Sequence, residues 1–375
     1  MKFVISSSVL LKQLSLINGV VASNTLLPIL ENFLFELEEN ILSVTASDQQ
    51  TVMVATIDVD AQESGSIAIP AKLLLDTLRG LPEQPITIKV DSLTFGIEII
   101  SENGRYKLSG ENPIDFPVIP PTTKTLSLKL NADVLSSAIS NTLFATAVDD
   151  MRPAMAGVYL NMNPDYTTFV STDGHRLIRY RRTDIKAVSE TSMILPRKAL
   201  NLLKSSLPSD STEVSAEFNQ SNAFFSFLNI KMICRLIDER FPDYENAIPL
   251  ENPNLMTIGR SELLSSLKRI SIYSNKTTHQ VRMKLSNNDL VVSAEDINYA
   301  NEANERLTCF YEGDDMEVGY SAKFLIEMLS NMASKTITLQ MSTPNRAGLL
   351  VPEEQNENES ILMLIMPVIL TSPVN

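Results

Sequence analysis

Apolar residues recur at helical spacing in six segments of the chain. In the segment 131–146, for example, Leu135, Ala138 and Ile139 fall on one face of a helix, while serine and asparagine side chains occupy the other. The same spacing predicts helices at 6–21, 71–80, 131–146, 196–206, 259–276 and 321–335. Each predicted helix therefore has one face to bury and one face to expose.

Between these segments the pattern changes to the alternation of half-buried strands. The run Thr87–Asp91 alternates polar and apolar side chains, and tight-turn dipeptides such as Asn103-Gly104 and Asp173-Gly174 separate runs of this kind. Two helices and several hairpins per segment of chain indicate an α+β fold.

Three markers return along the chain in the same order. The first is a strand that ends in small polar and acidic residues, at Val44–Asp48, Val170–Asp173 and Val292–Asp296. The second is a strand-to-helix junction with a lysine in the opening turn, at Lys72, Lys198 and Lys323. The third is a bulky residue followed by proline, at Phe116-Pro117, Phe241-Pro242 and Met366-Pro367.

The spacing of these markers predicts a threefold repeat. The lysines are 126 and 125 residues apart, and the prolines are 125 residues apart both times. A length of 375 residues alone is compatible with two or three domains. The repeat favours three domains, at 1–121, 128–249 and 250–375. The alternative is a chance echo among ordinary strands and helices.

Charge is unevenly distributed along the chain. The chain carries 31 basic and 45 acidic residues, a net charge of −14, which by itself argues against a nucleic-acid partner. The six predicted helices, however, carry +8 together and leave −22 for the rest. If the helices share one surface, that surface is basic and attracts phosphate groups. The alternative is that these lysines only solvate helix surfaces.

Composition indicates a soluble protein of the reducing cytoplasm. Cys234 and Cys309 are far apart and form no C-x-x-C pair. The longest apolar stretch, Ile361–Leu370, falls short of the roughly 18 residues that span a bilayer and contains Pro367. We therefore expect no membrane partner.

The sequence offers little for catalysis, metals or cofactors. Ser171, Asp173 and His175 suggest a hydrolase, but alternating side chains before a tight turn do not form a nucleophile–base relay. His175 and His279 are the only histidines and lack metal-ligand spacing. No G-x-G run and no Gly-Lys pair occurs, so dinucleotide and P-loop motifs are absent. We predict no catalytic residue, no metal and no cofactor.

Several longer motifs carry a family resemblance that runs from Met1 to about Leu370. They are Asn24–Leu30 (NTLLPIL), Ser171–Leu177 (STDGHRL), Arg240–Tyr244 (RFPDY), Val281–Met283 (VRM) and Met366-Pro367. With these motifs the chain closely resembles the bacterial DNA polymerase III beta subunits, the sliding clamps.

The resemblance implies three clamp domains, each with two helices and antiparallel sheets, in a head-to-tail homodimeric ring whose helices line the pore. It implies a processivity factor that encircles double-stranded DNA without reading its sequence. The implied protein partners are the DNA polymerase III alpha subunit, the clamp loader complex and other proteins with clamp-binding motifs. Serving these partners requires no catalysis by the chain itself.

The resemblance also implies three sets of site residues. The partner-peptide pocket matches Met155, Thr172, Gly174, His175, Arg176, Leu177, Pro242, Ala247, Leu364, Met366, Pro367, Val368 and Leu370. The DNA-facing set is Lys12, Lys72, Arg79, Lys198, Lys204, Lys268, Arg269, Lys276 and Lys323. The dimer interface would join Arg105, Tyr106, Lys107 and Leu108 to Ile272, Tyr273, Glu302 and Glu305.

The chain departs from the family pattern at three places. Asn24 stands where many relatives carry a basic residue, Ile369 replaces an arginine, and Thr371–Asn375 extends beyond the usual end. The first departure would weaken one DNA contact, and the others would alter the pocket rim. The competing hypotheses are a repeated β-rich scaffold that never binds DNA and, less favoured, an esterase-like enzyme.

Overall fold

The structure is a computed structural model that describes residues 1–22, 26–119, 126–148 and 151–370. Its six α-helices are α1 (Ser7–Ile17), α2 (Ala71–Gly80), α3 (Ala132–Thr142), α4 (Arg197–Ser206), α5 (Arg260–Ile270) and α6 (Ala322–Ser330). All six predicted helices are confirmed. None of the described helices is long and apolar enough to cross a membrane. Asn24 and Thr371–Asn375 lie outside the described residues.

Four helices end earlier than the sequence pattern predicted: α1 at Ile17 instead of 21, α3 at Thr142 instead of 146, α5 at Ile270 instead of 276 and α6 at Ser330 instead of 335. A 3-10 turn at Ser271–Tyr273 follows α5, and the side-chain amide of Asn331 donates to the carbonyl of Glu327 at the end of α6. Lys276 and Lys335 therefore lie outside the helices. With the observed bounds the six helices carry +6 rather than +8, so the helical charge excess is smaller but keeps its sign.

The described strands form four sheets, each confined to one of two compact units. Unit 1 comprises Met1–Ser136 with Lys198–Leu236, and unit 2 comprises Ser137–Arg197 with Ile237–Asn375. The strands of unit 1 are β1 (Lys2–Ser6), β2 (Asn32–Glu38), β3 (Ile41–Ser47), β4 (Thr51–Asp58), β5 (Asp60–Glu63), β6 (Gly65–Pro70), β7 (Pro85–Val90), β8 (Gly96–Ile100), β9 (Arg105–Ser109), β10 (Leu126–Asn131), β15 (Glu213–Phe218), β16 (Asn222–Phe227) and β17 (Ile230–Arg235).

The remaining strands belong to unit 2. They are β11 (Gly157–Met162), β12 (Thr167–Thr172), β13 (Arg176–Arg182), β14 (Thr191–Pro196), β18 (Asn254–Gly259), β19 (Gln280–Ser286), β20 (Asp289–Asp296), β21 (Asn301–Thr308), β22 (Phe310–Glu312), β23 (Met316–Ser321), β24 (Thr336–Met341), β25 (Gly348–Pro352) and β26 (Glu359–Ile365).

In unit 1 the two sheets have the strand orders β5-β1-β7-β8-β9 and β10-β15-β16-β17-β4-β3-β2-β6. Helices α1 and α2 pack against each other and bury the apolar faces that the pattern predicted, with Leu10, Leu14, Leu74 and Leu78 at most 1% exposed. The opposite faces of these helices carry the polar and charged side chains.

In unit 2 the sheet orders are β14-β11-β12-β13-β26-β25-β24-β18-β22 and β21-β20-β19-β23. Helices α5 and α6 pack against each other over a core that includes Leu263, Leu267, Leu325 and Met328. Ser266 of α5 is fully buried beside these apolar residues. The remaining polar residues of the helix face outward.

The topology repeats the sequence markers. Strands β3, β12 and β20 carry the small polar and acidic ends, and β6, β14 and β23 each lead directly into α2, α4 and α6. Strand β4 of the first repeat pairs with β17 of the second, and β13 of the second pairs with β26 of the third. The second repeat is therefore divided between the two units.

Candidate functional site

The turn between β12 and β13 is held by side-chain hydrogen bonds. The Asp173 carboxylate accepts the amides of His175 at 2.9 Å and Arg176 at 3.0 Å, and the Thr172 hydroxyl oxygen accepts the Gly174 amide at 3.0 Å. This is the chemistry that places Asp and Thr beside glycine in tight turns. It leaves Gly174 and the side chain of His175 exposed at the tip.

Arg176 is buried beneath this turn and is fully bonded. Its guanidinium donates to Asp173 at 3.0 Å, to Glu327 at 2.6 Å and to the carbonyl of Phe144 at 2.8 Å. It also lies 4.6 Å from the ring centre of Phe324. A charge that is 5% exposed is tolerated only with such partners, so Arg176 supports the turn.

An apolar surface lies beside the turn. Leu177 and Leu364 are cross-strand partners on β13 and β26, and both pack into a cluster with Phe241 and Tyr244. The rings of Tyr159 and Phe241 stack with centres 4.7 Å apart. Burial raises the pKa of the Tyr244 phenol, so this group stays neutral at physiological pH.

The segment after β26 is anchored by main-chain bonds. The Met366 amide donates to the His175 carbonyl at 2.8 Å, and the Val368 amide donates to the Gly319 carbonyl at 2.9 Å. A Cβ on Gly319 would lie 2.7 Å from the Val368 carbonyl oxygen, so only glycine allows this approach. Met366 stays 42% exposed and Ile369 85% exposed at the surface of the segment.

Every residue of the predicted pocket lies in unit 2. The turn brings Thr172, Gly174, His175, Arg176 and Leu177 to the start of β13, next to Leu364 and Met366. Met155 is half-buried. The nearby Arg152 connects this segment to the turn, because it donates to the Asp173 carbonyl at 2.5 Å. Pro242 follows Phe241 in the chain, and the Ala247 amide donates to the Tyr244 carbonyl at 3.1 Å. The remaining members, Pro367, Val368 and Leu370, follow β26.

Sequence reasoning missed several residues of this site. Arg152, Glu327 and Phe324 had no motif that marked them, because each reaches the site only through the fold. Tyr159 and Tyr244 complete the aromatic cluster. Tyr244 stands in the family motif Arg240–Tyr244 but was not assigned to the pocket, and no motif marked Tyr159.

All nine predicted DNA-facing cations are exposed. Six of them lie on α1, α2, α4 or α6, two on α5, and Lys276 beyond α5. Three have carboxylate partners: Arg79 bonds Asp76 at 2.9 Å, Lys198 pairs with Asp48, and Arg269 pairs with Glu305. The other six form no ion pair with a described residue and present exposed ammonium groups for phosphate contacts, with Lys276 above the Tyr299 ring at 5.8 Å.

The Arg269–Glu305 pair joins two sets that the sequence had kept apart. Both guanidinium–carboxylate bonds are 2.7 Å long, the two-point geometry that suits these groups. The arginine holds the pKa of the Glu305 carboxyl below its usual range. Arg269 is one of the two α5 residues in the DNA-facing set, so half of the positive charge of that pair is neutralised within the chain.

Both predicted interface segments are edge strands. Strand β9, with Arg105, Tyr106, Lys107 and Leu108, is the last strand of its five-stranded sheet, and β21, with Glu302 and Glu305, is the last strand of its four-stranded sheet. Edge strands expose unpaired main-chain groups that can pair with another chain. Ile272, 76% exposed, and Tyr273, 44% exposed, lie next to β21.

The geometry does not favour a hydrolase. Ser171 is fully buried and its hydroxyl donates to the Thr142 carbonyl at 2.5 Å, so it is not available as a nucleophile. The His175 ring lies 6.1 Å from the ring of Phe324, at an angle of 22°. In the part of the chain that the structure describes, no group of three or more His, Cys, Asp or Glu residues is placed to hold a metal ion.

Three similar α+β repeats, with β9 and β21 at the edges of their sheets and a pocket beside the β12–β13 turn, define a clamp-type protein built from repeated domains. Family models of the DNA polymerase III beta subunit match the chain as its N-terminal domain at residues 1–120, its central domain at 129–243 and its C-terminal domain at 245–369. The chain belongs to this family, the beta sliding clamps, which are non-catalytic processivity subunits of a DNA polymerase.

Relatives and solved structures agree over the full length. The beta sliding clamp of Pseudomonas putida is 30% identical over 369 residues, which cover 98% of this chain and 100% of the relative. That of Vibrio cholerae is 29% identical over 370 residues, with the same coverage. The crystal structure of the Pseudomonas aeruginosa sliding clamp bound to griselimycin matches with a TM-score of 0.94 and 29% identity, covering 99% of this chain and 100% of that one.

Proposed function

We propose that two copies of the chain close head to tail into a ring around duplex DNA and hold the replicative polymerase on it. The observation that carries this proposal is the pattern of strand pairing between repeats. Strands β9, β17 and β26 each end a repeat, and β4, β13 and β21 each follow the marked strand of a repeat. Strand β17 pairs with β4 and β26 pairs with β13, which leaves β9 and β21 without these partners in the same chain.

A second copy supplies the missing pairings. If β9 of one copy pairs with β21 of the other, every junction in the assembly is built in the same way, and the contact occurs twice. A contact between unlike surfaces closes a ring instead of extending into a fibre when the rotation returns to the first copy. Six repeats then complete the ring, and no edge strand of this type stays free.

The register of the new pairing follows from the repeats. Ile233 of β17 lies opposite Val52, and Leu364 of β26 lies opposite Leu177. The repeats can be aligned strand by strand, from the first strand of each repeat to the last strand of its sheet. In this alignment Lys107 of β9 corresponds to Ile233 of β17 and to Leu364 of β26.

The partner of Lys107 is found in the same way. Val52 lies opposite Ser47 at the end of the β3–β4 hairpin, and the corresponding residue of β21 is Glu302, opposite Glu295. We therefore propose that Lys107 of one copy faces Glu302 of the other. Opposite charges at directly opposed positions stabilise strand pairs by about 0.2–1 kcal/mol each.

Charge reversal tests this register. Lys107→Glu and Glu302→Lys should each increase the monomer fraction in sedimentation velocity, and the double variant should recover the dimer. Lys284→Glu reverses an exposed lysine on the central strand β19 and is the matched control. No change in either single variant would contradict the proposed pairing.

The exposed cations of α1, α2, α4, α5 and α6, together with Lys276 beyond α5, supply weak contacts to phosphate groups. Retention on DNA then comes from closure of the ring, and the individual contacts can be broken as the ring slides. The labelled chain, loaded on a nicked circular duplex by its clamp loader, should remain bound in high salt and leave when the circle is cut. Equal loss from intact and cut circles would contradict encirclement.

The pocket of unit 2 serves as the docking site for the polymerase alpha subunit, the clamp loader and other proteins that carry clamp-binding motifs. The exposed Met366, which follows the buried apolar cluster of Leu177 and Leu364, suits an apolar peptide anchor, which can contribute about 1.5–3 kcal/mol. Replacing Met366 and Pro367 should abolish polymerase stimulation and leave the dimer intact. Undiminished stimulation would refute the pocket assignment.

We also propose domain boundaries at 1–121, 128–249 and 250–375, and a cytoplasmic location. The residues matched by the three family models lie within or close to these boundaries. Both cysteines are buried free thiols, as is usual in a reducing compartment.

A further inference from the structure

Unit 1 contains a groove of about 410 Å³ beside the β3–β4 turn, within the size range of ligand sites. Its floor belongs to a small apolar cluster formed by Val52, Phe224 and Ile233. The groove is lined by Ser47, Gln49, Gln50, Val52, Pro117, Val118, Ser221, Asn222, Ile233 and Arg235. None of these residues belongs to the pocket, the DNA-facing set or the interface described above.

The floor of the groove corresponds to the floor of the unit 2 pocket. Val52 lies opposite Ile233 on β17, as Leu177 lies opposite Leu364 on β26. Both pairs join the marked hairpin of one repeat to the last strand of the next. The groove is therefore the counterpart of the pocket at the preceding junction.

The main-chain bonds at the rim also correspond. The Arg235 amide donates to the Gln50 carbonyl at 2.8 Å, and the Met366 amide donates to the His175 carbonyl at the same distance. The groove keeps the geometry of the pocket and exchanges its side chains. Gln50 stands in the groove where His175 stands in the pocket, and Arg235 stands where the pocket has the exposed Met366.

The turn that forms one wall is built alike at both places. The Asp48 carboxylate accepts the Thr51 amide at 2.6 Å, where Asp173 accepts the Arg176 amide at 3.0 Å. The apolar cluster beneath the groove contains one aromatic residue, Phe224, whereas the cluster of the pocket contains Phe241 and Tyr244 with Tyr159 packed against them. Val118, 91% exposed, stands beside the floor of the groove.

Charge distinguishes the groove from the pocket. Arg235 is the one charged residue among those that line it, and its exposed guanidinium has no carboxylate partner among the described residues. The amides of Gln49, Gln50 and Asn222 add donors and acceptors at the rim. An occupant must therefore present an apolar group to the floor and a negative charge to the arginine.

We propose that this groove is a second peptide-docking site, which binds a short extended segment with an aliphatic anchor next to an aspartate or glutamate. The anchor lies over Val52 and Ile233, the rim amides bond its main chain, and Arg235 pairs with its carboxylate. A partner of this kind occupies the clamp at a place different from the polymerase pocket, so both sites can be filled on one copy.

The test uses the intact chain and a fluorescein-labelled Gly-Leu-Asp-Leu-Gly peptide, followed by fluorescence polarisation. Binding is measured in a Met366→Asp background, which removes the apolar surface of the unit 2 pocket. We expect binding to persist in this background and to weaken about tenfold with Arg235→Glu. A probe with lysine in place of aspartate should show the opposite preference and bind better to Arg235→Glu.

Lys231→Glu is the matched control, because it makes the same charge change at an exposed residue of β17 that does not line the groove. It should leave the affinity unchanged. Absence of binding in the Met366→Asp background, or equal loss with both charge reversals, would overturn the inference. A failure of the pocket assignment is seen separately. In that case the Met366→Asp variant binds the peptide as tightly as the wild type does. If the chain associates beyond the dimer in the absence of peptide, the groove instead binds a second copy of the chain.

Discussion

The segment after β26 lies very close to Gly319, and this contact leads to a specific prediction about the pocket. In Gly319→Ala, the new Cβ would lie 2.7 Å from the Val368 carbonyl oxygen and 2.8 Å from the Leu370 Cδ2 atom. Both distances are shorter than van der Waals contact, and the first concerns main chain that cannot rotate away. We expect the segment after Ile365 to leave its position, while β23 and the core beneath it stay folded.

The magnitude follows from two contributions. Overpacking by one methyl group costs about 1–3 kcal/mol, and the hydrogen bond from the Val368 amide to Gly319 contributes about 0.5–1.5 kcal/mol. Partial relaxation reduces their sum, so we expect a shift of about 2 kcal/mol towards the displaced segment. This corresponds to roughly a 30-fold increase in the displaced population.

Limited proteolysis measures that population. Cleavage by thermolysin on the N-terminal side of Ile369 or Leu370, followed by mass spectrometry, should be about 30-fold faster in Gly319→Ala, because cleavage of an opened segment tracks its equilibrium population. Polymerase stimulation should fall with it, while the dimer persists. Gly80→Ala is the control, since no atom lies within 4 Å of a Cβ built on Gly80. Equal cleavage rates in Gly319→Ala and the wild type would refute the reasoning.

Three further predictions concern buried groups. Arg176→Met should lower the free energy of unfolding in urea by about 3 kcal/mol, because it leaves the carboxylates of Asp173 and Glu327 without their cation; a loss near zero would contradict this. Burial and a hydrogen bond with Glu359 raise the pKa of Tyr180 from 10.0 to about 12, so the folded state holds the proton more tightly than the unfolded chain. Its contribution is complete below pH 10 and is lost as the pH rises towards 12; Tyr180→Phe should flatten that part of the stability curve, and an unchanged slope would count against it. Burial raises the pKa of the Cys234 thiol to about 12, so iodoacetamide at pH 8 should modify it only after unfolding, as peptide mass mapping would show.

The local pattern of apolar and polar residues was sufficient to predict the helices, the strands and the threefold repeat. All six helices form where apolar spacing predicted them, because the face that a helix buries is determined by residues within a few turns. The early ends of α1, α3, α5 and α6 reflect 3-10 turns and capping interactions that periodicity does not describe. The marked strand ends and the Phe-Pro and Met-Pro pairs were equally visible, because each belongs to a single strand end or turn.

The candidate site was only partly predictable. Its motif residues, from Thr172 to Leu177, are contiguous and could be found in the sequence. Glu327 could not, since it meets Arg176 across 151 residues of chain. The same limit explains why Arg269 and Glu305 were assigned to separate functions, although they bond each other across 36 residues.

The sequence by itself determined the triplication, the element types and the excess of positive charge on the helices, because these are properties of short windows and of their spacing. Only the tertiary structure decided which strands pair between repeats, and thereby that β9 and β21 are left as free edges. Strand pairing depends on main-chain groups that every residue shares, so the sequence does not specify it residue by residue. The whole fold selects the partners, and with them the register proposed for the ring.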